Sequence, residues 1–224
     1  MDNPSNLKDL SSPFLSMVEN PLQYLHKAVL NHPFYEYLFN GTLKESKFVF
    51  FLSQQEHIWY HFSKELLFLS KLNYPKCTNT TFVQSAHFAL MKAGDFSILL
   101  GNLKLKSDQA SITSHEYRNF LSRLAAKRLF LPLLTAILPR FWLTSQLSTR
   151  CLKLNTYGHL YKKFIEHCIS QNAEDQTMRI IEMLDSLIQT ISEAEKTEIQ
   201  QLFMDAALHE CELLNEAYKQ GSSS

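Results

Sequence analysis

The chain has 224 residues, and its 22 Lys+Arg balance its 22 Asp+Glu, so the formal net charge is zero. With that balance and no long basic run, nucleic acid is excluded as a partner class. Five glycines are too few for the turns of an all-β protein or a doubly wound sheet, while the helix formers Leu, Lys, Glu, Gln and Ala are plentiful, so the chain reads as all-α.

Residues 1–20 carry acids, prolines and serines and little periodicity; they read as a loose N-terminal arm with one turn of helix at most, and not as a signal peptide. Pro21 then opens a helix to Asn31, His32-Pro33 breaks it, and Asn40-Gly41 ends a further short helix. Thr42 and Glu45 have capping-box spacing ahead of a long helix, Glu45–Leu72. Its apolar stripe contains Phe48, Phe51, Leu52, Ile58, Trp59 and Phe62, and Gln55 falls on the same stripe. A loop at Asn73–Asn79 leads to a helix capped at Thr81 and Gln84 and ending near Leu100. After a polar connection, Gly101–Ala110, the run Thr113-Ser114-His115-Glu116 repeats the capping pattern and opens a helix with Tyr117, Phe120 and Leu121.

The most apolar stretch follows, Leu129–Thr144, and it contains an arginine. Its longest apolar run is about half of what a bilayer span requires, and Pro132 interrupts it, so it is a core element and not a membrane segment. A helical count from Leu133 through Ile137 lands on Arg140, Phe141 and Thr144, which puts a permanent cation on or beside the buried stripe. Buried, it requires an anion or several acceptors. Downstream, Tyr157–Ser170 carries Leu160, Tyr161, Phe164, Ile165 and Cys168 on one stripe, a helix runs from Asn172 to Ile191, and Ser192 with Glu195 caps the last helix, to about Tyr218. On its apolar stripe sits Glu210, the one acid that periodicity places in the core, which makes Arg140–Glu210 the candidate pair. Residues 221–224 read as a frayed tail. The result is one helical domain over 21–220, a bundle of seven or eight helices that buries Gln55, Arg140 and Glu210 around a ligand or against each other.

His32-Pro33-Phe34, Gly41-Thr42-Leu43, Phe48 and the helix from Leu52 to Phe62 resemble the opening of the TenA/thiaminase II family. So do Thr113-Ser114-His115-Glu116-Tyr117-Arg118, Leu138-Pro139-Arg140-Phe141-Trp142-Leu143, Tyr161-Lys162-Lys163-Phe164-Ile165, and Glu210 with Ala217-Tyr218. The resemblance runs in order from about residue 30 to 220. It implies a haem-oxygenase-like bundle with a central small-molecule pocket, assembled as a homotetramer or dimer. It also implies salvage or hydrolysis of thiamine and its aminopyrimidine relatives, without a cofactor. Carried over by position, the family's pocket aspartate is Gln55 here, its nucleophilic cysteine is Arg140, and its proton-handling glutamate is Glu210. Tyr117 keeps one pocket tyrosine, while Ile58, Thr144 and Cys168 stand where others would be, with Phe51 beside them. An arginine cannot be the nucleophile, so cysteine-dependent chemistry is not expected.

Two functions remain in play: an enzyme or former enzyme acting on a small heterocycle, with Glu210 as its acid/base, and a non-catalytic or regulatory pocket protein holding an anionic metabolite on Arg140. Arg140 has two further readings, a salt bridge to Glu210 and an arginine reaching the surface. Cys168 lies on an apolar stripe, where thiols are usually packing. The four cysteines, Cys77, Cys151, Cys168 and Cys211, lack CxxC spacing and read as thiols of a cytoplasmic protein. His57 and His61 have ligand spacing on one helix, but Asp205 and His209 form an incomplete second pair, so no metal is expected.

Overall fold

In the computed structural model, residues 12–72, 76–103, 109–169 and 172–220 are described. Among them the chain is all-α, with ten α-helical segments and no strand. Helix α1 is Pro13–Met17, α2 is Glu19–Leu25 and α3 is Pro33–Phe39. Helix α4 is Glu45–Ser70, α5 is Lys76–Asn102 and α6 is Ile112–Ala126. Helix α7 is Phe130–Leu152, α8 is Lys162–Cys168, α9 is Ala173–Ile188 and α10 is Glu193–Lys219. Helix α2 runs on into a π-helical turn, His26–Leu30.

Helix α7 is the central element because it is apolar on nearly every side. Each residue from Leu133 to Leu143 is buried, and the helix packs against α6, α8, α9 and α10. Pro139 lies inside it and donates no backbone hydrogen bond. Helices α4 and α5 form an antiparallel hairpin alongside, and α10 crosses both α7 and α4. Four elements, α4, α6, α7 and α10, thereby turn one face each toward a common centre. No helix among the described residues is long and apolar enough to cross a membrane.

Several elements differ from those expected of the sequence. The stretch from Ser12 to Asn20 is not a loose arm. Phe14 and Val18 are fully buried, and the Asp185 carboxylate of α9 accepts from Ser12 Oγ (2.8 Å) and the Phe14 amide (2.7 Å). Residues 1–11 and the expected tail at 221–224 lie outside the described residues. Thr42 does not cap α4: its hydroxyl donates to Asn40, and the N-cap is Lys44, without a side-chain bond. Helix α5 starts at Lys76, ahead of the cap expected at Thr81. The cap of α6 is Ser111, whose hydroxyl accepts from the Ser114 amide at 3.1 Å, two residues before the expected Thr113. Helix α8 is far shorter than the stripe suggested, and Leu160 and Tyr157 are exposed. At α10 the box between Ser192 and Glu195 forms as read.

Candidate functional site

Arg140 projects from the turn after Pro139 into the space between α4, α6 and α10, where it is 4% exposed. Its Nε donates to Glu210 Oε1 at 3.0 Å and its Nη2 to Glu210 Oε2 at 2.7 Å, a two-pronged contact from α7 to α10. Its Nη1 donates to Gln55 Oε1 on α4 at 2.6 Å. The Tyr117 hydroxyl on α6 donates to Glu210 Oε1 at 2.8 Å. The guanidinium carbon lies 5.4 Å from the rings of Trp59 and Phe62 and 5.9 Å from that of Tyr117. A planar cation is thus boxed by aromatic rings and met at its edge by a carboxylate and an amide oxygen, the geometry that suits guanidinium. Burial, and after it the Glu210 charge, hold the Tyr117 phenol far above its ordinary pKa, so it stays a donor.

One side of this network opens on a cavity with about 60 Å³ of open space, room for a few waters or one small ring. Phe51, Gln55, Arg140, Thr144, Cys168 and Glu210 all line it. Two residues anticipated there do not. Ile58 is fully buried in the packing of α4, and Tyr117 stands behind Glu210 and acts on the cavity only through it. Thr144 turns its hydroxyl back onto the Arg140 carbonyl at 2.8 Å. Cys168 is a free thiol, and its hydrogen bond with the Cys151 thiol, with burial, raises it well above the ordinary range, which makes it a poor nucleophile. His61 spends Nε2 on the Arg118 carbonyl at 3.1 Å and the Ser122 hydroxyl at 3.2 Å, and no group of three metal-ligating side chains occurs among the described residues.

Sequence reasoning missed four polar residues at the cavity: Tyr35, Lys92, Asp95 and His167. Tyr35 is 4% exposed on α3, and burial, followed by the neighbouring Cys168, raises its phenol far above the usual value. The adjacent His32-Pro33-Phe34 run concealed it, since that run reads as a helix start. Lys92 and Asp95 belong to α5, a helix whose sequence carried no site motif.

The all-helical bundle has the haem-oxygenase-like fold of its solved TenA neighbours. The model of the TENA/THI-4/PQQC family matches residues 99–220, and the chain belongs to that family. It is 23% identical over 216 residues to a protein of Halalkalibacterium halodurans named aminopyrimidine aminohydrolase, covering 92% of this chain and 96% of that one. A Bacillus subtilis protein of the same name is 22% identical over 196 residues, with 84% and 82% covered. A solved TenA homologue from Pyrococcus furiosus superposes with a TM-score of 0.80 at 19% identity, covering 90% of this chain and 98% of that one.

Proposed function

We propose that the chain binds a small, planar, uncharged nitrogen heterocycle of the aminopyrimidine class in its central cavity, and that it does not cleave thiamine through a nucleophile at position 140. The observation that carries this reading is the closed Arg140–Glu210–Gln55 network. Residue 140 is engaged as a cation, and all three bonds to Glu210 make its oxygens acceptors. Glu210 would have to leave Arg140 and Tyr117 before handling a proton. The names of the two bacterial relatives, both aminopyrimidine aminohydrolases, supply the ligand class.

The same network weighs against an anionic metabolite anchored on Arg140. The cavity lining pairs Arg140 with Glu210 and Lys92 with Asp95, so its formal charges cancel. An anion would have to displace a bidentate carboxylate, and stranding that carboxylate costs several kcal/mol. The test is a thermal-shift series with thiamine, aminopyrimidines and simple carboxylates, alongside an assay of thiamine breakdown. Stabilisation by aminopyrimidines without breakdown is expected. Breakdown at rates near those of cysteine-bearing relatives, or stabilisation by carboxylates alone, overturns the reading.

A further inference from the structure

The small central cavity shares Lys92, Asp95 and His167 with a surface groove of about 790 Å³ between α5, α8 and α9. These three side chains stand at the mouth, where inner and outer spaces meet. Lys92 Nζ lies 3.4 Å from Asp95 Oδ2, one helical turn away on α5, and donates to the His167 backbone carbonyl of α8 at 2.9 Å. His167 Nδ1 lies 3.5 Å from Asp95 Oδ1.

The two cavity carboxylates are held very differently. Glu210 accepts three bonds between 2.7 and 3.0 Å, three of the roughly four a carboxylate can take. Asp95 has contacts of 3.4 and 3.5 Å, at the limit of hydrogen bonding, so its oxygens retain most of their capacity to accept. Beside it, the Lys92 ammonium carries three donors, and two of them serve Asp95 and His167. An acceptor and a donor therefore stand side by side at the cavity mouth. On the cavity wall next to them, Phe51, Phe96 and Phe164 lie with ring centroids 5.9 to 6.5 Å apart, an aromatic surface for a flat ring.

We propose that Asp95 and Lys92 read the amino–nitrogen edge of the heterocycle: its exocyclic N–H donates to the Asp95 carboxylate while the adjacent ring nitrogen accepts from Lys92 Nζ, and the ring lies against Phe51, Phe96 and Phe164. This rests on the aminopyrimidine reading and moves its recognition from α4 to α5. Gln55, committed to Arg140, is left as part of the cavity floor.

The experiment is an NMR titration of the full chain with 4-amino-2-methylpyrimidine and with 2-methylpyrimidine, which lacks the exocyclic donor. The wild-type chain should prefer the amino compound by about tenfold or more, the usual weight of a hydrogen bond to a charged group. Asp95→Leu, which has no acceptor, should erase most of that preference. Lys92→Met should weaken both probes, because the ring nitrogen is common to them. Circular dichroism identifies any variant that has lost its helices, and Asp95, being partly exposed, tolerates an isosteric change. If the wild type binds neither probe, the aminopyrimidine reading falls and this inference with it. If the wild-type preference survives in both α5 variants and disappears in Gln55→Leu, only this inference is overturned.

Discussion

A guanidinium between Trp59, Phe62 and Tyr117 cannot shed its charge, and two carboxylate oxygens and an amide oxygen at its edge compensate it. Taking either partner away leaves the other buried and uncompensated. Glu210→Ala should therefore cost about 3–5 kcal/mol of folding stability. The double replacement Arg140→Met with Glu210→Leu should cost much less, because no stranded charge remains. Chemical denaturation of the two single variants and the double variant measures this, and a coupling energy near zero would remove the pair as a structural unit. Gln55→Leu takes one acceptor from Nη1 and should cost about 1–3 kcal/mol, the penalty for a buried donor left unmade.

At the scale of the elements, two helix ends position the network and can be tested separately. Arg128, just past the Lys127 C-cap of helix α6, holds φ +53° where the residue after a helix usually is glycine. Because left-handed backbone costs a side-chain-bearing residue about 1–2 kcal/mol, Arg128→Gly should stabilise the protein, less the entropy glycine adds to the unfolded chain. A thermal melt reads the sign. At α10, Ser192 accepts from the Glu195 amide at 3.3 Å, and the Glu195 carboxylate accepts from the Ser192 amide and hydroxyl at 2.8 Å. Those bonds hold the Glu195 carboxyl below its usual pKa. Its folded pKa being the lower one, the contribution of Glu195 to stability is present above the ordinary carboxylate pKa and fades as pH falls through the depressed value. Ser192→Ala should return the Glu195 pKa toward normal in an NMR titration and cost about 1 kcal/mol through the lost cap.

For the molecule as a whole, the positions that the family resemblance reads as departures from the thiaminase pattern lie on three helices, α4, α7 and α8, so no single reversion should restore that chemistry. Arg140→Cys puts a thiol at position 140 but leaves Gln55 on α4, Thr144 on α7 and Cys168 on α8. It also strands Glu210. We expect no thiamine turnover from it, together with a stability loss close to that of Glu210→Ala. Turnover by Arg140→Cys in a direct product assay would show that the rest of the cavity still supports the reaction.

Helical class, the burial of Arg140, Glu210 and Gln55, and the Ser192 cap were legible in one dimension, because a 3.6-residue period states which side chains share a face and a capping box closes within four residues. The pairing of Arg140 with Glu210 was legible as a candidate because Glu210 was the one acid that periodicity placed in the core, although Glu65 on α4 is buried as well. Which bonds form was decided by the crossing of α7 with α10 and α4, which sets distances between residues 70 and 85 positions apart. Tertiary packing also decided what local pattern misread. Ser12–Val18 folds onto α9 because Asp185 offers its carboxylate there, and Tyr117 is drawn behind Glu210 and away from the cavity. Lys92 and Asp95 look like a solvated turn of α5 until α8 is laid across them, with the His167 carbonyl on one side and the open cavity on the other. Periodicity reports the face a residue occupies, and only the neighbouring helix determines whether that face meets water, packing or a ligand.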